Sequence, residues 1–186
     1  LLPPGLAFVS VSPKAWARVE KAPRRSFYFD LLAAREALAD EDTPFTPANT
    51  LIAALKKSLE LLKKEGIEAV WARHAKLAKA TRAAALALGL KVYAASPADA
   101  LTAIVLPEGI DAEAARGQLR KKYGVAVAGG QEKLKGKIIR IGHLGYLDTL
   151  DTLGAIAALE LVLAEMGVQV PLGAGVAAAQ RVLLAK

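Results

Sequence analysis

The stretch Lys137-Ile138-Ile139-Arg140-Ile141-Gly142-His143-Leu144-Gly145 sets one cation inside an apolar run and then breaks the run with glycines. A short isoleucine-rich segment closed by glycine reads as a β-strand over Ile138 to Gly142. Arg140 is the residue in it that needs a reason, because a guanidinium buried without a partner is costly. Three environments are open to it: an internal ion pair, an exposed sheet edge, or a cavity that receives an anion. In the last case its planar fork of donors suits bidentate capture of a carboxylate, each charge-assisted bond contributing about 1.5–3 kcal/mol.

Strand and helix signals alternate around this stretch. Lys91 to Ala95, Leu101 to Leu106 and Val125 to Ala128 read as strands, Asp111 to Tyr123 as a helix, and about Leu150 to Met166 as a helix behind Asp148-Thr149. Each such strand has an apolar face to cover, so a small sheet with helices packed on it, an α/β arrangement, is the economical solution. Farther upstream, Thr46-Pro47 is a cap followed by proline. Beyond it Leu51, Ile52, Leu55, Leu59 and Leu62 recur at the period of an amphipathic helix that stops at Gly66. A second helix spans about Ile67 to Leu88 and ends at Gly89.

The N-terminal part has a different texture. Leu6 to Ser12 reads as a buried strand, Ser12-Pro13 opens a short helix through Glu20, and Phe27-Tyr28-Phe29-Asp30 leads into a helix ending near Ala39. These patterns place a boundary near residue 46: residues 1–46 as the tail of a larger preceding domain, residues 47–186 as a small α/β domain. The Ala- and Gly-rich segment Pro171 to Lys186 is expected to be a loosely attached helix.

Composition narrows the functions. The 186 residues are 54% hydrophobic, enough for a sizeable core. No apolar run approaches the roughly 20 residues of a membrane span, so a soluble, non-membrane protein is expected. With no cysteine, disulfides, zinc-finger ligation and thiol catalysis by this chain's own residues are excluded. Few thermolabile residues, with Asn49 the one asparagine, point to a thermophilic source. The net charge of +7 raises the question of nucleic acid, but the cations alternate with Glu or Ala on helical faces, as in Lys56, Lys57, Glu60, Lys63, Lys64 and Glu65, with few aromatics beside them. No nucleic-acid partner is expected. Leu1-Leu2-Pro3-Pro4-Gly5 has neither an initiator Met nor the features of a signal peptide, and a start in mid-protein is expected.

Phosphate-loop, dinucleotide-fold, zinc-protease and nucleophile-elbow signatures are lacking. His74 and His143 lack metal-ligand spacing; His74 reads as a solvated helix residue, and His143 is given no role. Gly129 and Gly130 allow either a tight turn or a close approach of backbone to ligand. Thr46 is open in the same way, as an ordinary helix cap or as a phosphate contact at a helix N-terminus.

Taken in order, Pro3 to Ser12, Phe27-Tyr28-Phe29-Asp30, Thr46-Pro47, Ala128-Gly129-Gly130-Gln131 and Ile139 to Gly145 resemble the class V aminotransferases, in their alanine–glyoxylate/serine–pyruvate branch. The resemblance covers Leu1 to about Gly167 and leaves out the tail. It implies the C-terminal half of a fold type I enzyme dependent on pyridoxal 5'-phosphate (PLP), with a small, mostly antiparallel sheet covered by helices. The activity implied is amino transfer between alanine or serine and glyoxylate or pyruvate, in a cytoplasmic homodimer with active sites at the subunit boundary. The lysine that attaches the cofactor is implied upstream of Leu1; Lys14 does not fit that motif, so this chain alone is expected to be inactive.

Two residues carry over. Arg140 matches the arginine that binds the substrate's α-carboxylate, and Thr46 matches a threonine that reaches the PLP phosphate of the partner subunit. Many relatives have Tyr three residues before that threonine where this chain has Thr43, so the resemblance does not carry that phosphate contact over. Gly129 and Gly130 match a structural loop near the arginine. Lack of cysteine separates the chain from the cysteine desulfurase relatives. Two other readings stay open: an aspartate-using aminotransferase of the same class, and a non-catalytic subunit or binding module of the same fold.

Overall fold

In the computed structural model, which describes residues 2–23 and 26–185, the strand over Ile138–Gly142 (β4) lies inside a four-stranded sheet. The other strands are β1 (Lys91–Val92), β2 (Leu101–Val105) and β3 (Ala128–Gly129), in the order β1-β2-β4-β3 with every pairing antiparallel. Seven helices accompany them among the described residues: α1 (Pro13–Val19), α2 (Leu31–Ala39), α3 (Asn49–Glu65), α4 (Ile67–Ala87), α5 (Ala112–Tyr123), α6 (Thr149–Glu165) and α7 (Ala174–Leu184). No helix of the described residues is long and apolar enough to cross a membrane.

The chain divides into two compact units, residues 1–64 and 65–186. In the second, the alternation of the strands decides which side is covered. Thr102 and Ile104 of β2 stand opposite Ile141 and Ile139 of β4, and all four are buried. Leu88, Leu119, Leu159 and Leu163 join them in one core beneath a layer of helices. Local signals set the ends of that layer. Asp148 and Asp151 form a reciprocal capping box at the start of α6, Asp111 caps α5, and Gly124 closes α5 in the left-handed conformation at φ 70°.

The tail is firmly attached, contrary to its Ala- and Gly-rich appearance. Helix α7 packs along α4 and α6, with Ala179 fully buried against Ala80, Ala84 and Ile156. Small residues allow two helices to approach closely, so a stretch poor in large side chains still builds an interface. Glu160 of α6, only 4% exposed, also holds the start of α7: its carboxylate accepts from Gly173 N at 2.6 Å and Val176 N at 3.0 Å. Glu160→Ala is therefore expected to cost about 1–3 kcal/mol, the loss of a helix cap together with two stranded amides. Urea unfolding of wild type and variant measures it; an unchanged midpoint would mean that the cap is idle. Leu1 and Lys186, at the two ends of the chain, lie outside the described residues.

In the first unit α1 and α2 begin where expected. Ser12 accepts from Ala15 N, Asp30 accepts from Leu32 N and Ala33 N, and the Arg35 guanidinium lies 4.4 Å over the Trp16 ring. Residues 6–12 do not form a strand, and Phe8 and Val9 are exposed. A strand exists only when another pairs with it, and none of the described residues offers an edge here. Helix α3 starts at Asn49, with Ile52 N bonded to Ala48 O, so Thr46 lies ahead of the cap position instead of in it.

Candidate functional site

Arg140 points away from the packed core, because it alternates with the buried Ile139 and Ile141. Its cross-strand neighbours are Ala103 on one side and Ala128 on the other. Two small residues leave room beside a long one, and Arg140 is half-buried. It forms no ion pair among the described residues. Its Nε donates to the carbonyl oxygen of Gly129 at 2.8 Å. That bond holds one edge of the guanidinium and leaves the paired Nη edge without a protein acceptor among the described residues, the arrangement that suits a carboxylate.

Gly129 and Gly130 shape the support. A methyl group on Gly130 would overlap the Leu134 carbonyl, standing 2.5 Å from its carbon and 3.0 Å from Ile138 Cγ1. On Gly129 it would meet the Glu113 carboxylate and come within 2.7 Å of Arg116 Nη1. The obstacle at Gly130 is backbone, which cannot swing aside as a side-chain end can. Gly130→Ala is thus expected to cost about 1–3 kcal/mol of stability, as overpacking does elsewhere; a urea midpoint within error of wild type would contradict this.

Thr46 belongs to the first unit and Arg140 to the second. Thr46 is exposed, and its hydroxyl has no hydrogen-bond partner among the described residues. Thr43 donates its hydroxyl proton to Phe45 O at 2.5 Å, so that proton is committed. Around them Leu6, Val9, Tyr28, Phe29, Phe45 and Ile52 line an apolar groove of about 700 Å³. Within it Tyr28 stacks on Phe45, with ring centroids 4.7 Å apart.

His74 departs from the solvated position the sequence suggests. His74 is half-buried, and its Nε2 has no partner among the described residues. His143 is 1% exposed, shares a 2.9 Å hydrogen bond between Nε2 and Thr102 Oγ1, and has its Nδ1 buried without a partner. Spacing cannot reveal this, since the burial arises from strands and helices remote in sequence. Glu160 was missed for the same reason.

No family model matches the chain. It is 51% identical to a protein of Synechococcus sp. named as the small subunit of a soluble hydrogenase, over 98% of this chain and 48% of that protein. It is 40% identical to the serine–glyoxylate aminotransferase of Methylorubrum extorquens, again over 98% of this chain and 48% of the relative. Among solved structures, the pyridoxamine–pyruvate aminotransferase of Mesorhizobium loti superposes with a TM-score of 0.86 at 37% identity, over 93% of this chain and 46% of that one. The chain spans about half the length of the curated relatives it matches. A 98% coverage also takes in residues beyond Gly167, so the tail belongs to the resemblance.

Proposed function

We propose that this chain, which belongs to the class V aminotransferases, is the C-terminal half of a PLP-dependent enzyme that moves an amino group between alanine or serine and glyoxylate or pyruvate. The observation that carries the reading is Arg140: one guanidinium edge tied to Gly129 O, the other unpaired, on the sheet face turned away from the core. In the whole protein residues 1–46 would complete the large cofactor-binding domain and residues 47–186 form the small domain. The protein would be a cytoplasmic homodimer.

The residues present suit a minority share in holding PLP. Thr46 offers an unengaged hydroxyl to a phosphate oxygen, across the subunit boundary by analogy with the family, while Thr43 has already spent its proton. The attachment lysine would lie upstream of Leu1. When bound, PLP supplies the electron sink for the substrate's α-carbon. Arg140 binds and orients: a carboxylate held by two parallel bonds cannot swing, which fixes the axis along which the α-carbon is presented. It transfers no proton.

Titration of the whole protein with PLP tests the reading. One equivalent of visible absorbance per subunit, with amino transfer from L-serine or L-alanine to glyoxylate, is expected. The hydrogenase-named relative favours a second reading, a non-catalytic subunit of the same fold. A whole protein that neither takes up PLP nor transfers an amino group would establish that second reading over the first.

A further inference from the structure

We infer that Arg116 of α5 is a positioning residue for Arg140, acting through strand β3. The inference rests on Arg140 being the carboxylate anchor. What fixes the Arg140 fork is the Gly129 carbonyl, and that carbonyl sits on an edge strand of two residues paired on one side only. So short an edge strand has little to hold it by itself. Arg116 supplies the hold from the helix side. Its Nε donates to Val127 O at 3.0 Å, one residue before the strand, and its guanidinium lies against Gly129, where a Cβ would come within 2.7 Å of Nη1 and 3.1 Å of Cδ. Arg116 therefore grips the chain on both sides of Ala128, the residue directly opposite Arg140.

Glu113, one turn earlier on α5, pairs with Arg116 Nη1 and steadies it. The glycine follows from the same contact, since any side chain at position 129 would displace the Glu113–Arg116 pair. The path from helix to anchor is continuous: Glu113, Arg116, the 127–129 backbone, Arg140. Loosening it lets the Gly129 carbonyl wander, so that the Nη edge no longer waits in one orientation. That costs affinity for the carboxylate and, because Arg140 also orients the bound substrate, lowers the rate after binding as well.

A double-mutant cycle in the whole protein tests this, using the dissociation constant for glycolate, an unreactive carboxylate of substrate size, by calorimetry, with KM and kcat beside it. Arg116→Ala is expected to weaken glycolate and raise KM about tenfold and to lower kcat, in the same direction as Arg140→Ala but by less. In an Arg140→Ala background the same change should have no further effect on glycolate binding. Arg116→Lys keeps a cation but lacks the planar fork that places Nε on Val127 O and Nη1 on Glu113, so it should fall between wild type and Arg116→Ala. Equal losses from Arg116→Ala in both backgrounds, or none in the first, would overturn the positioning role. If Arg140→Ala alone leaves glycolate binding intact, the anchor reading fails and takes this inference with it.

Discussion

Arg140→Ala in the whole protein is expected to lower kcat/KM for the amino donor by about 2–5 kcal/mol, a loss of roughly thirtyfold to several thousandfold. The size follows from what the proposed role would lose, two charge-assisted bonds from a guanidinium already anchored on Gly129 O, which would pay little more entropy on binding. The loss should be specific to function. Arg140 has alanine on either side across the sheet and makes no ion pair among the described residues, so its truncation leaves no charged partner stranded. The thermal midpoint should stay close to that of wild type. Arg140→Lys should recover only part of the activity, because an ammonium gives neither the planar fork nor the Nε bond to Gly129 O. Steady-state kinetics of the three proteins with L-serine and glyoxylate decide it. An Arg140→Ala enzyme within threefold of wild type, on the scale where about 1.4 kcal/mol is tenfold, would remove Arg140 from the site.

Much of this arrangement is legible in the residues themselves, and the reason is that it is local. Strand β4 spans Ile138–Gly142 because an isoleucine-rich run closed by glycine declares it. Helix α6 starts behind Asp148 because the cap is written three residues wide. The lone cation in β4 is legible too, and the fold makes it a half-buried guanidinium bonded through Nε to Gly129 O. What sequence could not carry is non-local. Residues 6–12 have the composition of a strand, yet pairing is a property of two segments, and the described residues hold no partner for them. Ala-rich α7 looked loose because its attachment lies in the closeness of α4 and in one carboxylate thirteen residues upstream of Gly173. The Glu113–Arg116 grip on β3 is likewise visible only once helix and edge strand are side by side.

His143 is the clearest case of chemistry created by burial, and acid should expose it. Its ring is almost wholly enclosed, with Thr102 Oγ1 on Nε2 and no partner among the described residues on Nδ1. Burial pushes its pKa down from 6.5 to about 4; the nearby Arg82 cation and His74 add to the effect, and Asp99 opposes it. A second proton would put another N–H, and a charge, where neither has an acceptor. The unfolded chain takes up that proton near pH 6.5, whereas the folded chain resists it until about pH 4. Stability attributable to His143 is therefore complete above pH 6.5 and falls as pH drops, by up to about 1.4 kcal/mol per pH unit and about 3 kcal/mol in all by pH 4. Below that the loss saturates, because both states then carry the proton. Urea unfolding between pH 7 and pH 5, above the range where most carboxylates titrate, isolates the effect. His143→Gln cannot titrate but can still meet Thr102, so it should start less stable than wild type and lose far less over that interval. Parallel losses in the two proteins would assign the acid sensitivity to other groups and leave His143 as an ordinary packing residue.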